Sequence, residues 1–404
     1  MAIGESSLPL LRPIPGVRLG TASAGIRQTE RDDVTVIELT DEAVCTAVFT
    51  RNAFCAAPVV VAQEHLKSSP RWLLINSGNA NAGTGGKGLQ DAERTCRALA
   101  QLVKDDFERI LPFSTGVIGE ALPVAKIEAA LPVALTSLSE SGWERAASAI
   151  MTTDTRPKGA SRTLTLGGQR VTITGIVKGA GMIHPNMATM LAFIATDARV
   201  EREALHACLE QAVGQSFNCI TVDGDTSTND ACVLMATGRS NAPLVIRQNR
   251  YFAEFQTALF EVCRELAEAI IRDGEGATKL IRIHVEGAAS EEEAHRVGKT
   301  IAHSPLVKTA FFAGDPNWGR ILAAVGRSGI DRLDVSGVSL WLNDVCIVRN
   351  GEAVPDYDEA SAQAVMAGDD ITVRMLLGRG QARQKILTCD LSHEYVRINT
   401  EYRT

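Results

Sequence analysis

The sequence lacks the features that place a chain in or on a membrane. It has no apolar run of about 18 residues, the length that a membrane-spanning helix needs. It also has no block of basic residues, and its net charge is −7, so binding to nucleic acid or to a membrane surface is not expected. Residues 1–15 contain acidic Glu5 and no long apolar core, unlike a signal peptide. We therefore expect a cytoplasmic protein.

Motifs for metals, disulfides and phosphate are also missing. The nine cysteines are scattered without a C-x-x-C pair, which predicts neither a disulfide framework nor a zinc site but mostly buried apolar thiols. The seven histidines show no H-E-x-x-H spacing. Gly86-Lys87 lacks the flanking residues of a phosphate loop. Asp223, Asp225 and Asp230 match a calcium loop only loosely, and we interpret them as hydrogen-bonded turns near an active site. We expect no metal and no cofactor.

What the chain does contain is alternating strand and helix patterns over 404 residues, enough for two or three domains. The patterns predict strands at 34–39, 58–62, 72–75 and 281–285, helices at 89–103, 201–213 and 256–272, and hairpins over 162–176 (turning at Gly167-Gly168) and 335–348 (turning at Asn343-Asp344). These elements predict a mixed α+β or layered α/β fold. We place a domain boundary near residue 280, giving domains 1–280 and 281–404.

One segment sets a threonine between a turn signal and a buried strand. A Gly-rich stretch ends in His184, Pro185-Asn186 follows, and Thr189 precedes the apolar run 190–195. If the Ala188–Thr189 bond were cut, the threonine would carry a nucleophilic hydroxyl together with a free α-amine able to act as its base. Taken alone, the pattern also fits an ordinary strand start. His184 fits either a turn residue or a base.

Distinctive stretches occur in one order along the rest of the chain. They are NSGNANA (76–82), STGVIG (114–119), MTTDT (151–155), DGDTSTND (223–230), DGEGATK (273–279), GDPNWGR (314–320) and INTEY (398–402). Together with residues 178–191 they resemble the ornithine acetyltransferase family, the self-cleaving glutamate N-acetyltransferases of arginine biosynthesis. The resemblance covers nearly the whole chain, and several co-linear motifs are far more specific than any one of them.

The resemblance implies a fold and an assembly. The expected fold is an α-β-β-α layered core, in which two sheets lie between helices, with a smaller C-terminal domain. Cleavage at Ala188–Thr189 would give chains 1–188 and 189–404, and two copies of each would form a heterotetramer.

The resemblance also implies roles for individual residues. Thr189 would be the nucleophile, and Thr115 and Gly116 would form the oxyanion hole, where glycine lets a backbone N–H approach closely. From the residues alone, 114–116 read as a turn after a strand ending at Phe113. Substrate contacts are implied for Thr152 or Thr153, of which we favour Thr153, and for Lys178, Thr189, Glu275, Asn399 and Thr404. One departure is Arg403, where a small polar residue is expected.

The implied reaction is transfer of acetyl from N2-acetyl-L-ornithine to L-glutamate by a ping-pong mechanism through acetyl-Thr189. The sequence does not decide whether acetyl-CoA is also a donor, because pocket shape governs that choice. A second hypothesis is an aminopeptidase or amidase on the same kind of self-cleaving scaffold, in which water takes the acyl group. A third is an amino-acid-binding protein that never cleaves. The charged candidates Lys178 and Glu275 favour a site for a charged amino acid.

Overall fold

The structure is a computed structural model that describes residues 3–4, 7–26, 31–184 and 190–401. The predicted cleavage pair Ala188 and Thr189, and Thr404 at the C-terminus, lie outside the described residues. None of the helices within the described ranges is both long enough and apolar enough to cross a membrane.

The described residues form fifteen strands. The strands are β1 (Val17–Ala22), β2 (Val34–Leu39), β3 (Val44–Phe49), β4 (Trp72–Asn79), β5 (Ile110–Val117), β6 (Lys158–Leu166), β7 (Gln169–Lys178), β8 (Leu191–Thr196), β9 (Ala231–Ala236), β10 (Leu280–Ala288), β11 (Ser339–Leu342), β12 (Val345–Arg349), β13 (Glu352–Ala353), β14 (Asp370–Leu376) and β15 (Ala382–Cys389). They make three sheets, ordered β1-β2-β4-β5, β3-β9-β8-β7-β6 and β13-β12-β11-β14-β10-β15.

Eleven α-helices accompany them in the same part of the chain. The helices are α1 (Ala57–His65), α2 (Gly85–Val103), α3 (Val124–Thr136), α4 (Trp143–Ala149), α5 (Arg202–Gln215), α6 (Arg250–Arg272), α7 (Glu291–Ala302), α8 (Pro305–Ala313), α9 (Trp318–Gly326), α10 (Glu359–Met366) and α11 (His393–Thr400).

The first two sheets pack face to face and have helices on their outer faces. Phe113 of β5 lies edge-on to Phe193 of β8, with ring centroids 5.2 Å apart, in an apolar layer supplied by both sheets. The outer face of the first sheet is covered by α2 and α3, and that of the second by α5 and α6. The amphipathic pattern of 256–272 is thus the buried face of α6. The predicted α-β-β-α layered core is confirmed.

The third sheet begins with β10 and has a hydrophobic core of its own. Val297 of α7, Phe311 of α8 and Ile321 of α9 pack with the sheet residues Ile283 and Val373. The sheet's final strand, β15, leads into α11, the last described helix.

The hairpin predicted over 162–176 is formed by β6 and β7. Gly167 and Gly168 have φ values of 58° and 80°, as a two-residue turn between right-twisted antiparallel strands requires. The turn sets the register that places Lys178 at the far end of β7, opposite Leu191 at the start of β8.

The strand predicted at 58–62 is wrong, because these residues lie in α1. Pro58 occupies the first turn of the helix, where its missing N–H removes no hydrogen bond. Val59, Val61 and Ala62 are buried against the neighbouring elements. Tertiary packing therefore outweighs the strand preference of the valines.

Candidate active site

A cavity of about 220 Å³ lies where strands of the two packed sheets end. Its wall includes the C-terminal ends of β5 and β7, the first residue of β8 and the segment before β9. Every predicted site residue within the described ranges lines this cavity, namely Thr115, Gly116, Thr152, Thr153, Lys178, Glu275 and Asn399. Five separate sequence motifs therefore meet at one place in the fold.

The segment 114–116 does not turn after Phe113, as its residues alone suggested, because β5 continues to Val117. Thr115 pairs with Ser77 and Gly116 with Gly78 in parallel register, and an irregularity follows at Asn79. Gly116 has a φ of 136°, and a Cβ there would lie 2.2 Å from the carbonyl carbon of Gly78. Only glycine fits this position, and the strand brings both Thr115 and Gly116 to the cavity wall.

Lys178 connects the strand end to the predicted oxyanion residues. Its Nζ donates a hydrogen bond to the Thr115 Oγ1 at 3.2 Å. Burial lowers the pKa of Lys178, while the nearby carboxylates of Asp154, Asp230 and Glu275 act in the opposite direction. A lysine in this setting can present a positive charge to a substrate, and its lowered pKa makes it a better proton acceptor than an exposed lysine.

A buried ion triad lies beneath Lys178. The Nζ of Lys158 is 2.6 Å from Asp154 Oδ1 and 2.5 Å from Asp273 Oδ2, and the three side chains are at most 1% exposed. Burial alone would raise the pKa of Asp154, but the charges of Lys158 and Lys178 and its hydrogen bonds hold that pKa well below its usual value. Sequence reasoning missed this triad.

Asp154 positions two parts of the cavity wall. Its Oδ1 accepts a hydrogen bond from the N–H of Gly179 at 2.7 Å, next to Lys178. Its Oδ2 accepts the N–H of Thr152 at 2.8 Å and faces the hydroxyl of the same residue at 3.5 Å. Both Thr152 and Thr153 line the cavity. Of the two, Thr152 is hydrogen-bonded to Asp154. The triad thus fixes the lysine and the threonine loop together.

Glu275 lies just after α6 and is buried, with 8% of its surface exposed. Its N–H donates to the Ala180 carbonyl at 2.9 Å, and its carboxylate lies against Gly181, where a Cβ would be 2.3 Å from the carboxyl carbon. The Asn399 Nδ2 donates to Glu275 Oε2 at 2.8 Å. A carboxylate held in this way is available to a cationic group in the cavity.

The C-terminal helix α11 brings Asn399 to the site. Ser392 caps the helix by accepting the N–H of Tyr395, and its hydroxyl donates to the Gly276 carbonyl at 2.6 Å. The Tyr395 hydroxyl reaches Asp223 Oδ2 at 3.4 Å. These contacts join the end of the chain to the 273–279 and 223–230 motifs.

The predicted hydrogen-bonded turn at Asp223 is confirmed. Its carboxylate accepts the N–H groups of Met182 at 2.6 Å and Ile183 at 3.0 Å, and that of Asp225 at 3.2 Å. No cluster of three or more His, Cys, Asp or Glu side chains with metal-binding geometry occurs in the described part of the chain.

His184 packs against another histidine and is not part of the cavity wall. Its ring lies 4.3 Å from that of His303, centroid to centroid. Burial and the positive charge of Lys299 lower the pKa of His184 to about 4. This position supports its interpretation as a structural residue of the turn.

A layered α-β-β-α core with a cavity that combines a lysine, buried carboxylates and threonine hydroxyls defines an enzyme that acts on a small charged molecule. The chain belongs to the ArgJ family, whose model matches residues 18–404. This confirms the family resemblance of the sequence and the predicted enzyme class, an acyltransferase of arginine biosynthesis.

The chain is also similar in sequence to individual proteins. The chain is 64% identical over 394 residues to the arginine biosynthesis bifunctional protein ArgJ of Methylococcus capsulatus, covering 98% of this chain and 97% of that protein. It is 55% identical over 405 residues to the protein of the same name from Pseudomonas fluorescens, covering both in full. The crystal structure of ornithine acetyltransferase complexed with ornithine from Mycobacterium tuberculosis is 31% identical, covering 44% of this chain and 94% of that chain with a TM-score of 0.39.

Proposed function

We propose that this protein cuts itself between Ala188 and Thr189 and then transfers the acetyl group of N2-acetyl-L-ornithine to L-glutamate. The observation that carries the proposal is the convergence of seven predicted site residues on one cavity, which Met190 also lines. Thr189 is bonded directly to Met190 in the chain. The nucleophile proposed from sequence is therefore the chain neighbour of a residue in the cavity that contains its proposed partners.

Cleavage creates the catalytic base. The Thr189 hydroxyl attacks the Ala188 carbonyl, the peptide bond becomes an ester, and water opens the ester. The α-amine released on Thr189 has an ordinary pKa of about 7.7–8.0. A base is most effective when its pKa lies near the working pH, so this amine suits activation of the adjacent hydroxyl.

Acetyl transfer then proceeds in two halves. Thr189 attacks the acetyl carbonyl of N-acetylornithine, and ornithine leaves an acetyl-threonine that glutamate deacylates. Each half passes through a tetrahedral oxyanion, for which Thr115 and Gly116 are the proposed donors. The hydrogen bond from Lys178 to Thr115 supports this role, because a nearby cation favours negative charge at that wall.

Charge in the cavity matches the two substrates. N-acetylornithine carries one ammonium, on its side chain, and we assign Glu275 to it. We assign Lys178 to the substrate carboxylate, with Thr153 or Thr152 beside it. Asn399 holds the Glu275 carboxylate in place. Thr404, five residues beyond Asn399, remains a proposed contact of the tail.

The experiment that tests the proposal directly is intact-mass analysis with N-terminal sequencing of freshly purified protein. We expect two fragments, one of which begins at Thr189. A single chain that stays uncut would reject the mechanism and favour the binding-protein alternative.

Glu275→Gln is expected to weaken binding of N-acetylornithine while self-cleavage continues. Glutamine keeps the shape of the side chain but loses the charge, and a hydrogen bond to a charged group contributes about 1.5–3 kcal/mol. We therefore expect KM for N-acetylornithine to rise roughly 10- to 100-fold. Steady-state kinetics and the fraction of cut chain are measured side by side. Glu394→Gln, an exposed glutamate on α11, is the matched control. Equal losses of cleavage and substrate binding would remove Glu275 from the substrate site.

Acetyl-CoA is a second candidate acetyl donor besides N-acetylornithine, and water is a second candidate acceptor besides glutamate. We propose acetyl-CoA as a second acetyl donor for Thr189, supported by the word bifunctional in the names of the relatives. Product formation from acetyl-CoA and glutamate without N-acetylornithine tests it. An amidase would instead release free acetate from the acyl-enzyme, and glutamate would not change that rate.

We also propose that the cut protein assembles as two copies of chain 1–188 and two of chain 189–404. Native mass spectrometry is expected to give the mass of two whole chains, each of 43.2 kDa before cleavage. A particle containing one of each chain would reject the heterotetramer.

A further inference from the structure

Asp230 occupies a position in the cavity wall that the proposed transfer mechanism does not use. It lies immediately before β9 and is 3% exposed. The N–H of Ala231 donates to the Met190 carbonyl at 3.0 Å, where β8 and β9 begin to run in parallel. Asp230 and Met190 therefore stand side by side at the sheet edge, and both line the cavity.

The carboxyl group of Asp230 is incompletely satisfied. Its buried Oδ2 has no hydrogen-bond partner among the residues that the structure describes. Burial raises the pKa of Asp230 well above its usual value, against the opposing effects of Ser227 and the charge of Lys178. A buried acid with one free oxygen is suited to hold a proton and to deliver it.

Self-cleavage needs such a group, because the base that serves acetyl transfer does not yet exist. Before cleavage the nitrogen of Thr189 is part of an amide and cannot accept a proton. The hydroxyl must lose a proton and the departing nitrogen must gain one. Within the described residues, the titratable side chains that line the cavity are Lys178, Asp230 and Glu275. Asp230 stands beside Met190, and Lys178 pairs with Leu191 across the start of β8. These two groups therefore flank the strand that follows Thr189, and they are the candidates for proton transfer.

We propose that Asp230 is the general acid of self-cleavage and that Lys178 is its paired base. The inference rests on the proposed cleavage at Ala188–Thr189. Uncharged Lys178 takes the proton of the Thr189 hydroxyl, and a bond forms between Oγ1 and the Ala188 carbonyl carbon. The carbon–nitrogen bond then breaks as the Asp230 carboxylic acid protonates the nitrogen. The products are an ester, a neutral α-amine, an Asp230 carboxylate and a Lys178 ammonium, and water then hydrolyses the ester.

Asp230→Asn separates a chemical role from a structural one. Asparagine has the shape and neutrality of a protonated aspartate but has no acidic proton to give. Cleavage is followed in cell-free synthesis by the appearance of the two fragments over time. We expect Asp230→Asn to slow cleavage by roughly 100-fold or more, the usual contribution of a general acid. Asp225→Asn, an exposed aspartate of the same motif, is the matched control and should cleave like the wild type.

The pH dependence provides a second measurement. Wild-type cleavage should slow as pH rises through the Asp230 pKa, and Asp230→Asn should lose that alkaline decline. The charge of Lys178, at the end of β7, acts on this carboxyl. The other charged groups nearby are Glu275, which lines the same cavity, and Asp154, which acts on Lys178.

Thermal stability distinguishes a folding defect from lost chemistry. A carboxyl whose pKa is raised on folding opposes folding increasingly as pH rises from its unfolded pKa of about 3.9 to its folded value. The melting temperature of Asp230→Asn should therefore equal or exceed that of the wild type at pH 7, and the difference should vanish toward pH 4. A large drop at pH 7 would make Asp230 structural and would overturn the inference.

Further variants keep the two proposals distinguishable. Asp230→Glu should restore part of the cleavage rate, because the acidic proton returns. Wild-type cleavage kinetics in a folded Asp230→Asn protein would overturn the inference and leave the proposed function standing. Continued cleavage of Thr189→Ala, or an uncut wild type, would overturn both.

Discussion

Replacing Thr189 with alanine is expected to leave the chain uncut and without transferase activity. The substitution removes the hydroxyl that attacks the Ala188 carbonyl, and without cleavage the α-amine never forms. Loss of a covalent nucleophile together with its base leaves no acyl-enzyme route, so activity should fall to background. Intact mass and the transfer of acetyl from N-acetylornithine to glutamate are the two measurements. Thr165→Ala, an exposed threonine of β6, is the control and should behave like the wild type.

Thr189→Ser supplies the complementary test. Serine retains both a hydroxyl and, after cleavage, an α-amine, so part of both activities should remain. A Thr189→Ala protein that is still cut would place the nucleophile elsewhere. One that stays whole but transfers acetyl would show that the reaction does not pass through acetyl-Thr189.

The sequence predicts much of the fold because most elements have strong periodic patterns. The helix at 256–272 and the Gly167-Gly168 hairpin follow from residue spacing alone, and both are present. The α-β-β-α layering follows from the family resemblance rather than from periodicity. The failure at 58–62 has a local cause, since three consecutive valines suit a strand and only the packing around α1 decides otherwise.

The sequence motifs predict residues that the structure brings to one cavity, but they do not predict the buried residues that hold them in place. The motifs predict Glu275 and Lys178 as substrate contacts, and the structure brings both to one cavity. The buried triad gave no local signal, because Lys158 and Asp273 lie far apart in sequence and meet only when β6 packs beside the end of α6. The 223–230 motif predicts a hydrogen-bonded turn that includes Asp230, but the burial of Asp230 depends on the start of β9 lying beside Met190. Long-range packing of charged groups is therefore the information that the sequence pattern did not contain.

The Lys158→Met variant is expected to be severely destabilised, and the triad explains why. Methionine leaves the carboxylates of Asp154 and Asp273 buried without their shared cation, and removal of one member of a buried ion pair costs about 3–5 kcal/mol. The variant should also lose activity, since Asp154 holds the N–H groups next to Lys178 and at Thr152. Denaturant unfolding at pH 7 measures the free energy directly. Lys67→Met is the control, because its ion pair with Glu64 is exposed and exposed pairs contribute little to stability.

The pH dependence of this loss separates charge from packing. The pKa of Asp154 is lowered on folding, so its stabilisation is present above the unfolded pKa of about 3.9 and is lost as pH falls toward the folded value. The wild type and Lys158→Met should therefore differ most near pH 7, and the difference should shrink as the pH falls below 4 toward the folded pKa of Asp154. Adding Asp154→Asn and Asp273→Asn to Lys158→Met should recover part of the stability at pH 7, because no uncompensated charge remains. A deficit that is the same at every pH, and that the added substitutions do not reduce, would assign the effect to lost packing of the lysine side chain.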